Sequence, residues 1–173
     1  RVAAQAAKAI AERLPGMDAH AAEVMGLLHD IGRRNGKSGL RHVIDGYDYL
    51  LSMGYPAVAR ISLTHSFPLQ DVGVFMGAWD VTPTQLAFIR EYVATAVYDP
   101  YDRLIQLCDA CSLPEGICLI EKRIVDVALR YGLNEFSVPK WKAILDLQAD
   151  FERVLGCTIY SMLPRVVETT FGF

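Results

Sequence analysis

Few residues in this chain are of types and spacings that could do chemistry: His29-Asp30, Asp109, the histidines His42 and His65, and a basic run beginning at Arg33. His29-Asp30 closes one stretch of helical periodicity, and Asp109 lies inside another, among Ile105, Leu107, Cys108, Cys111 and Leu113. A carboxylate in such apolar company is costly to desolvate unless its charge is compensated, and a bound cation would do that. Periodicity alone leaves two other accounts of Asp109 open: it faces solvent, or it pairs with an arginine. Each histidine taken singly is more often a surface or capping residue than a ligand. His20 reads as exposed, with no partner indicated.

Arg33, Arg34, Lys37 and Arg41 follow His29-Asp30 within a glycine-rich segment, Gly32 to Gly39 and just beyond. Flexible glycines there would let cationic groups approach phosphate oxygens, a task that suits guanidinium and ammonium donors. Arg33 and Lys37, with Asp30, are the catalytic candidates, although at least two of these four cations read as an ordinary solvated loop. Cys108-Asp109-Ala110-Cys111 has the spacing of a zinc or redox pair, but no second pair accompanies it, and core packing accounts better for both thiols.

The elements that must position these groups read as helices throughout, since apolar residues recur at helical spacing and alternating patterns are scarce. A helix over Val2–Leu14 stops at Pro15-Gly16, and Asp18 caps a second that runs to Leu28 and ends at His29-Asp30. Ser38 is expected to cap a third, carrying His42 in its first turn and closing at Gly54. Pro56 opens a fourth that ends at Thr64-His65. The segment Asp71–Trp79 has no assignment and could form a lid over a pocket, with Phe75, Met76 and Trp79 as lining or as plain core. Thr82-Pro83-Thr84-Gln85 is a capping-box signature for a helix to about Val97, and Asp99-Pro100 starts the helix that bears Asp109. Two further helices are expected over Ile117–Tyr131 and Pro139–Leu155, ending at Gly132 and Gly156. The tail from Tyr160 has no assignment.

At 173 residues the chain is the size of one domain and able to bury a core without disulfides or a structural metal. It is 52% hydrophobic and 21% charged, which excludes a disordered chain. A net charge of -3 gives no global reason to bind nucleic acid or an anionic membrane, so any phosphate recognition must be local. No apolar run is long enough to cross a bilayer. Cys108, Cys111, Cys118 and Cys157 do not form a disulfide framework and read as the reduced thiols of a cytoplasmic protein. The chain begins at Arg1 in mid-helical pattern, so an upstream segment is expected.

His29-Asp30-Ile31-Gly32-Arg33, later histidines, and a distant aspartate in Leu107-Cys108-Asp109-Ala110 together resemble the HD superfamily, over Arg1 to about Arg130. The resemblance implies an all-α, compact multi-helix bundle over residues 1–173, in which His29, Asp30 and Asp109 hold a metal. The superfamily's first ligand histidine would fall before Arg1. In subgroups that hold two metals, a histidine four residues before a glycine and another at the end of the following helix complete the set. His42 with Gly46, and His65, fit those places. Mixed histidine and carboxylate ligands suit manganese, iron, cobalt, nickel or zinc, with magnesium also admitted, at one or two ions per chain. The implied activity is metal-dependent hydrolysis of a small phosphorylated molecule, such as a nucleotide or another phosphoester. Two other readings stay open: a di-iron oxygenase of the HD type, and a non-catalytic metal- or ligand-binding helical module.

Overall fold

Start and stop signals cut the chain into nine helices in a computed structural model that describes residues 1–173. They are α1 (Val2–Ala11), α2 (Ala19–Leu28), α3 (Arg41–Ser52), α4 (Pro56–Thr64), α5 (Pro83–Thr95), α6 (Pro100–Ala110), α7 (Ile120–Tyr131), α8 (Ser137–Leu155) and α9 (Val166–Phe171). Asp18 caps α2, its carboxylate accepting from His20 N at 2.8 Å and Ala21 N at 3.0 Å. Both expected capping boxes are present, Thr82 with Gln85 on α5 and Asp99 with Asp102 on α6. The fold is all-α, as the resemblance implies.

Several local expectations are corrected. Ser38 does not cap α3. Asp80, 41 residues beyond Gly39, does so, accepting from Gly39 N at 2.8 Å and Arg41 N at 2.9 Å. The seventh helix starts at Ile120, because Gly116–Ile117 pairs antiparallel with Ser112–Leu113 in a short hairpin, β1 and β2. The eighth starts at Ser137, two residues before Pro139, and the first ends at Ala11, short of Leu14. Ile31–Asn35 is a 3-10 helix, where a flexible loop was expected. Asp71–Trp79 begins as a 3-10 turn over Val72–Val74, capped by Asp71, and continues as extended chain whose Ala78 carbonyl accepts from Leu40 N at 2.8 Å.

Close helix contacts follow from small residues. Ala3, Ala4, Ala6 and Ala7 of α1 are buried against α2, and a Cβ on Gly26 would lie 2.6 Å from Ala4 Cα. One core cluster joins α1, α2, α6 and α8; the other joins α3, α4, α5 and Val72–Phe75. Helix α4 serves both, through Ile61 in the first and Leu63 in the second. Gly32 seats the segment after Asp30 directly on α3, where a Cβ would stand 1.9 Å from His42 O. Gly32 is thus there for close approach, and backbone cannot yield as a side-chain tip can.

Two substitutions check this construction. Asp80→Ala should cost about 1 kcal/mol, a fall of about 2–4 °C in melting temperature for a chain of this size. Gly32→Ala should cost roughly 3 kcal/mol, because overpacking falls on main chain. Thermal melts of the metal-free protein read both, and a Gly32→Ala variant as stable as the parent contradicts the packing described.

Candidate metal centre

The four elements that carry the histidines and aspartates bring them to one point. His29 caps the C-terminus of α2, Asp30 follows it, His42 sits in the first turn of α3, His65 caps the C-terminus of α4, and Asp109 is in the last turn of α6. Helices α4 and α6 are locked together beneath the site. The buried carboxylate of Asp102 accepts from Thr64 Oγ1 at 2.7 Å and from the Arg60 guanidinium, and Gln106 Nε2 donates to Thr64 O at 3.0 Å. His65 is therefore fixed against the helix that carries Asp109.

All three imidazoles use one ring nitrogen in the same way. Nδ1 of His29 lies 2.8 Å from Gly26 O, Nδ1 of His42 lies 2.6 Å from Gly39 O, and Nδ1 of His65 lies 3.0 Å from Ser62 O. A carbonyl only accepts, so each Nδ1 carries the proton and donates it. Each Nε2 is left with a lone pair in the neutral ring, the arrangement in which histidine binds metals.

Those lone pairs converge on the carboxylates. Asp30 Oδ1 lies 3.2 Å from His42 Nε2 and 3.6 Å from His65 Nε2, and His29 Nε2 lies 3.9 Å from Asp30 Oδ2 and 3.6 Å from Asp109 Oδ1. His42 Nε2 and His65 Nε2 face each other at 3.2 Å. Two neutral nitrogens so close, with both Nδ1 protons committed elsewhere, repel unless a proton or a cation lies between them. Asp30 Oδ1 is buried with no hydrogen-bond partner, although the Arg33 guanidinium stands 3.1 Å away without the alignment to donate. His29, Asp30 and His65 each offer one atom within 4.8 Å of the others, a spacing that one ion can span. A divalent cation fits this donor set: it would answer the orphaned oxygen and the opposed lone pairs together.

Charge follows the same geometry. Burial opposes ionisation of Asp30, but the imidazoles of His65, His29 and His42 gathered around it hold its carboxyl well below the usual range. Asp109 behaves likewise through His29. Burial pulls His29 down, yet Asp109 and Asp30 raise its pKa on balance. His42 is pushed down to about 4 by burial and by His65.

The site opens into a cleft of about 690 Å³. Asp30, His65 and Asp109 lie in its wall with Arg33 and Lys37, whereas His29 and His42 stand behind them. Asp109 is half-buried in the cleft wall with Oδ1 3.6 Å from His29 Nε2, and it forms no ion pair with an arginine. Arg33 is engaged within the chain: NH1 donates to Ser38 O at 2.9 Å, and NH2 lies 3.5 Å from His42 Nε2. Lys37 is exposed at the cleft. Phe75 and Met76 line the cleft, and Trp79 is 44% exposed outside it. His20 is exposed, and Cys108, Cys111 and Cys118 are buried free thiols.

Sequence reading missed the opposite wall. Arg123 of α7 and Lys140 and Trp141 of α8 all line the cleft. The one hint was composition, a lysine beside a tryptophan at the start of an otherwise amphipathic helix.

The all-helical scaffold thus gathers, at a cleft, a histidine and carboxylate cluster that could hold a metal ion. The chain belongs to the HD domain family, whose model, described as HD domain, matches residues 2–113. This is a family of metal-dependent phosphohydrolase type. No curated protein and no solved structure matches the chain. No helix is long and apolar enough to cross a membrane.

The raised pKa of His29 gives a pH test on chelator-treated protein. Protonated His29 is stabilised by Asp109, so that stability is fully present below about pH 6.5 and is lost as pH rises through the folded-state value. Asp109→Asn removes the partner. Its melting temperature should fall furthest below that of the parent near pH 6, with the gap closing towards pH 8.5. A gap that widens with pH would contradict the pairing of these two residues.

Proposed function

We propose that the chain is a metal-dependent phosphohydrolase acting on a small phosphorylated molecule, such as a nucleotide or another phosphoester. The observation that carries this reading is the convergence of three Nε2 lone pairs and two carboxylates on the floor of a cleft that also presents cationic side chains. His29, Asp30, His42, His65 and Asp109 would hold one or two divalent ions, with manganese, iron, zinc, nickel, cobalt and magnesium as candidates. Such an ion supplies Lewis acidity towards a phosphate and makes water acidic enough to act as a nucleophile near neutral pH.

The remaining work falls to the chain. Asp30 lines the cleft with Oδ1 buried, and its carboxylate can orient the attacking water by accepting a hydrogen bond from it. Arg33, gripping the loop through Ser38 O, holds Asp30 in place and keeps a positive charge beside the reacting phosphate. Lys37 is free to reach the phosphate from the cleft mouth. Negative charge grows on the equatorial oxygens during attack, so fixed cations there favour the transition state over the ground state.

The test is release of phosphate from a panel of nucleotides and aryl phosphates by full-length, metal-reconstituted protein, in air and under argon. Hydrolysis should proceed equally in both. Asp109→Asn should lower kcat at least about 100-fold, and Lys37→Ala about 10- to 100-fold. Oxygen uptake coupled to substrate oxidation, with no phosphate released, would replace this reading with an oxygenase. Stoichiometric metal with neither activity would leave a binding module.

A further inference from the structure

Lys140 is a cation without a counter-ion in the wall of the cleft. It stands on α8, beyond residue 113 where the family match ends. Its Nζ donates to Val74 O at 3.1 Å and Ser66 O at 3.4 Å, so the ammonium is pinned by two neutral carbonyls, one belonging to the residue after His65. Two of its three protons are thereby placed, and the third remains for a ligand. The carboxylate whose attraction it feels is Asp109, and Arg123 lies near enough to repel it. Arg123 is itself shared with Asp126 at 2.9 Å.

The charges around the cleft give this arrangement a direction. Its wall carries five cations, Arg33, Lys37, Arg123, Arg130 and Lys140, against three carboxylates. Asp80 is committed to the α3 cap, and Asp30 and Asp109 are the carboxylates that a divalent ion would take up. Once Asp109 serves a cation, no carboxylate in the wall balances Lys140, and with Arg123 nearby, itself paired with Asp126, the unpaired ammonium favours an anion from solution. Next to Lys140 in sequence, Trp141 lines the same cleft, with Val127, Ala128 and Ile144 as apolar neighbours in its wall.

Resting on the hydrolase reading above, we infer that Lys140 is the phosphate-anchoring residue of this site and that the α7–α8 wall selects the substrate class. That class is an organic phosphate whose charged end sits on Lys140, with Arg123 beside it, and whose aromatic or apolar end lies against Trp141. Inorganic polyphosphate would fill only half of such a site. A pinned ammonium loses little freedom on binding, which favours it over a solvated lysine as the principal anchor.

The experiment uses full-length, metal-loaded protein with inorganic phosphate and p-nitrophenyl phosphate as probes. Lys140→Gln retains a donor for the carbonyls and lacks the charge; Lys140→Arg retains the charge. Phosphate affinity by calorimetry should drop at least about tenfold in Lys140→Gln and less than about threefold in Lys140→Arg, with metal content unchanged in both. KM for the aryl ester should rise in parallel. A readout on the unmutated protein guards against misfolding of the variants. Acetylation of Lys140, followed by peptide mass spectrometry, should slow at least about fivefold in saturating phosphate, while Lys8 is unaffected. Hydrolysis of the ester with Lys140 labelling and Lys140→Gln affinity both indifferent to phosphate overturns the Lys140 assignment and leaves the hydrolase reading standing. Absence of hydrolysis together with loss of phosphate binding in Lys140→Gln overturns the hydrolase reading and keeps Lys140 as an anion anchor.

Discussion

The site depends on how three imidazoles spend their Nδ1 protons. Each donates to a main-chain carbonyl three residues earlier in its own segment: His29 to Gly26, His42 to Gly39, His65 to Ser62. This local bond fixes the tautomer and aims the opposite nitrogen. The outcome would be unfavourable in an empty apolar pocket, since it sets lone pairs against lone pairs and against carboxylate oxygens. The same geometry is favourable around a cation. The residues that would be most costly to bury alone are thus the ones whose placement makes sense together.

Everything else in the fold can be read as support for that convergence. Two of the histidines cap helix C-termini, where the negative end of the helix dipole also favours a positive charge. Asp102 and Gln106 tie the end of α4 to α6, so that His65 and Asp109 keep their separation. Gly32 lets the backbone after Asp30 lie on α3, bringing His42 within reach of Asp30. Asp80 anchors the start of α3 and closes the chain segment Phe75–Ala78 against it, which forms one side of the cleft. Helices α7 and α8 supply the other side, through Arg123, Lys140 and Trp141.

Much of this was legible in the sequence, and the parts that were not share a physical reason. Helix starts at Asp18, Thr82 and Asp99 are short-range events, written in the capping residue and the two or three amides that follow it. His29-Asp30, His42, His65 and Asp109 were nameable because their order along the chain follows the HD pattern. The Asp80 cap was hidden because donor and acceptor are about forty residues apart, and Ser38 offered a nearer candidate whose hydroxyl is in fact buried without a partner. Gly32 was read as a source of flexibility, whereas close approach to His42 O is a tertiary fact. Lys140 and Trp141 carry no motif; only the docking of α8 brings them to the cleft.

The central claim is that the Nε2 atoms and the two carboxylates enclose a divalent cation, and anomalous diffraction tests it most directly. Crystals of the full-length protein grown with manganese or zinc, measured on both sides of the metal's absorption edge, should show a strong anomalous peak at about 2.0–2.2 Å from Nε2 of at least two of His29, His42 and His65 and from a carboxylate oxygen of Asp30 or Asp109. A peak at the Cys108–Cys111 thiols instead, or none among these five residues at saturating metal, would contradict the account.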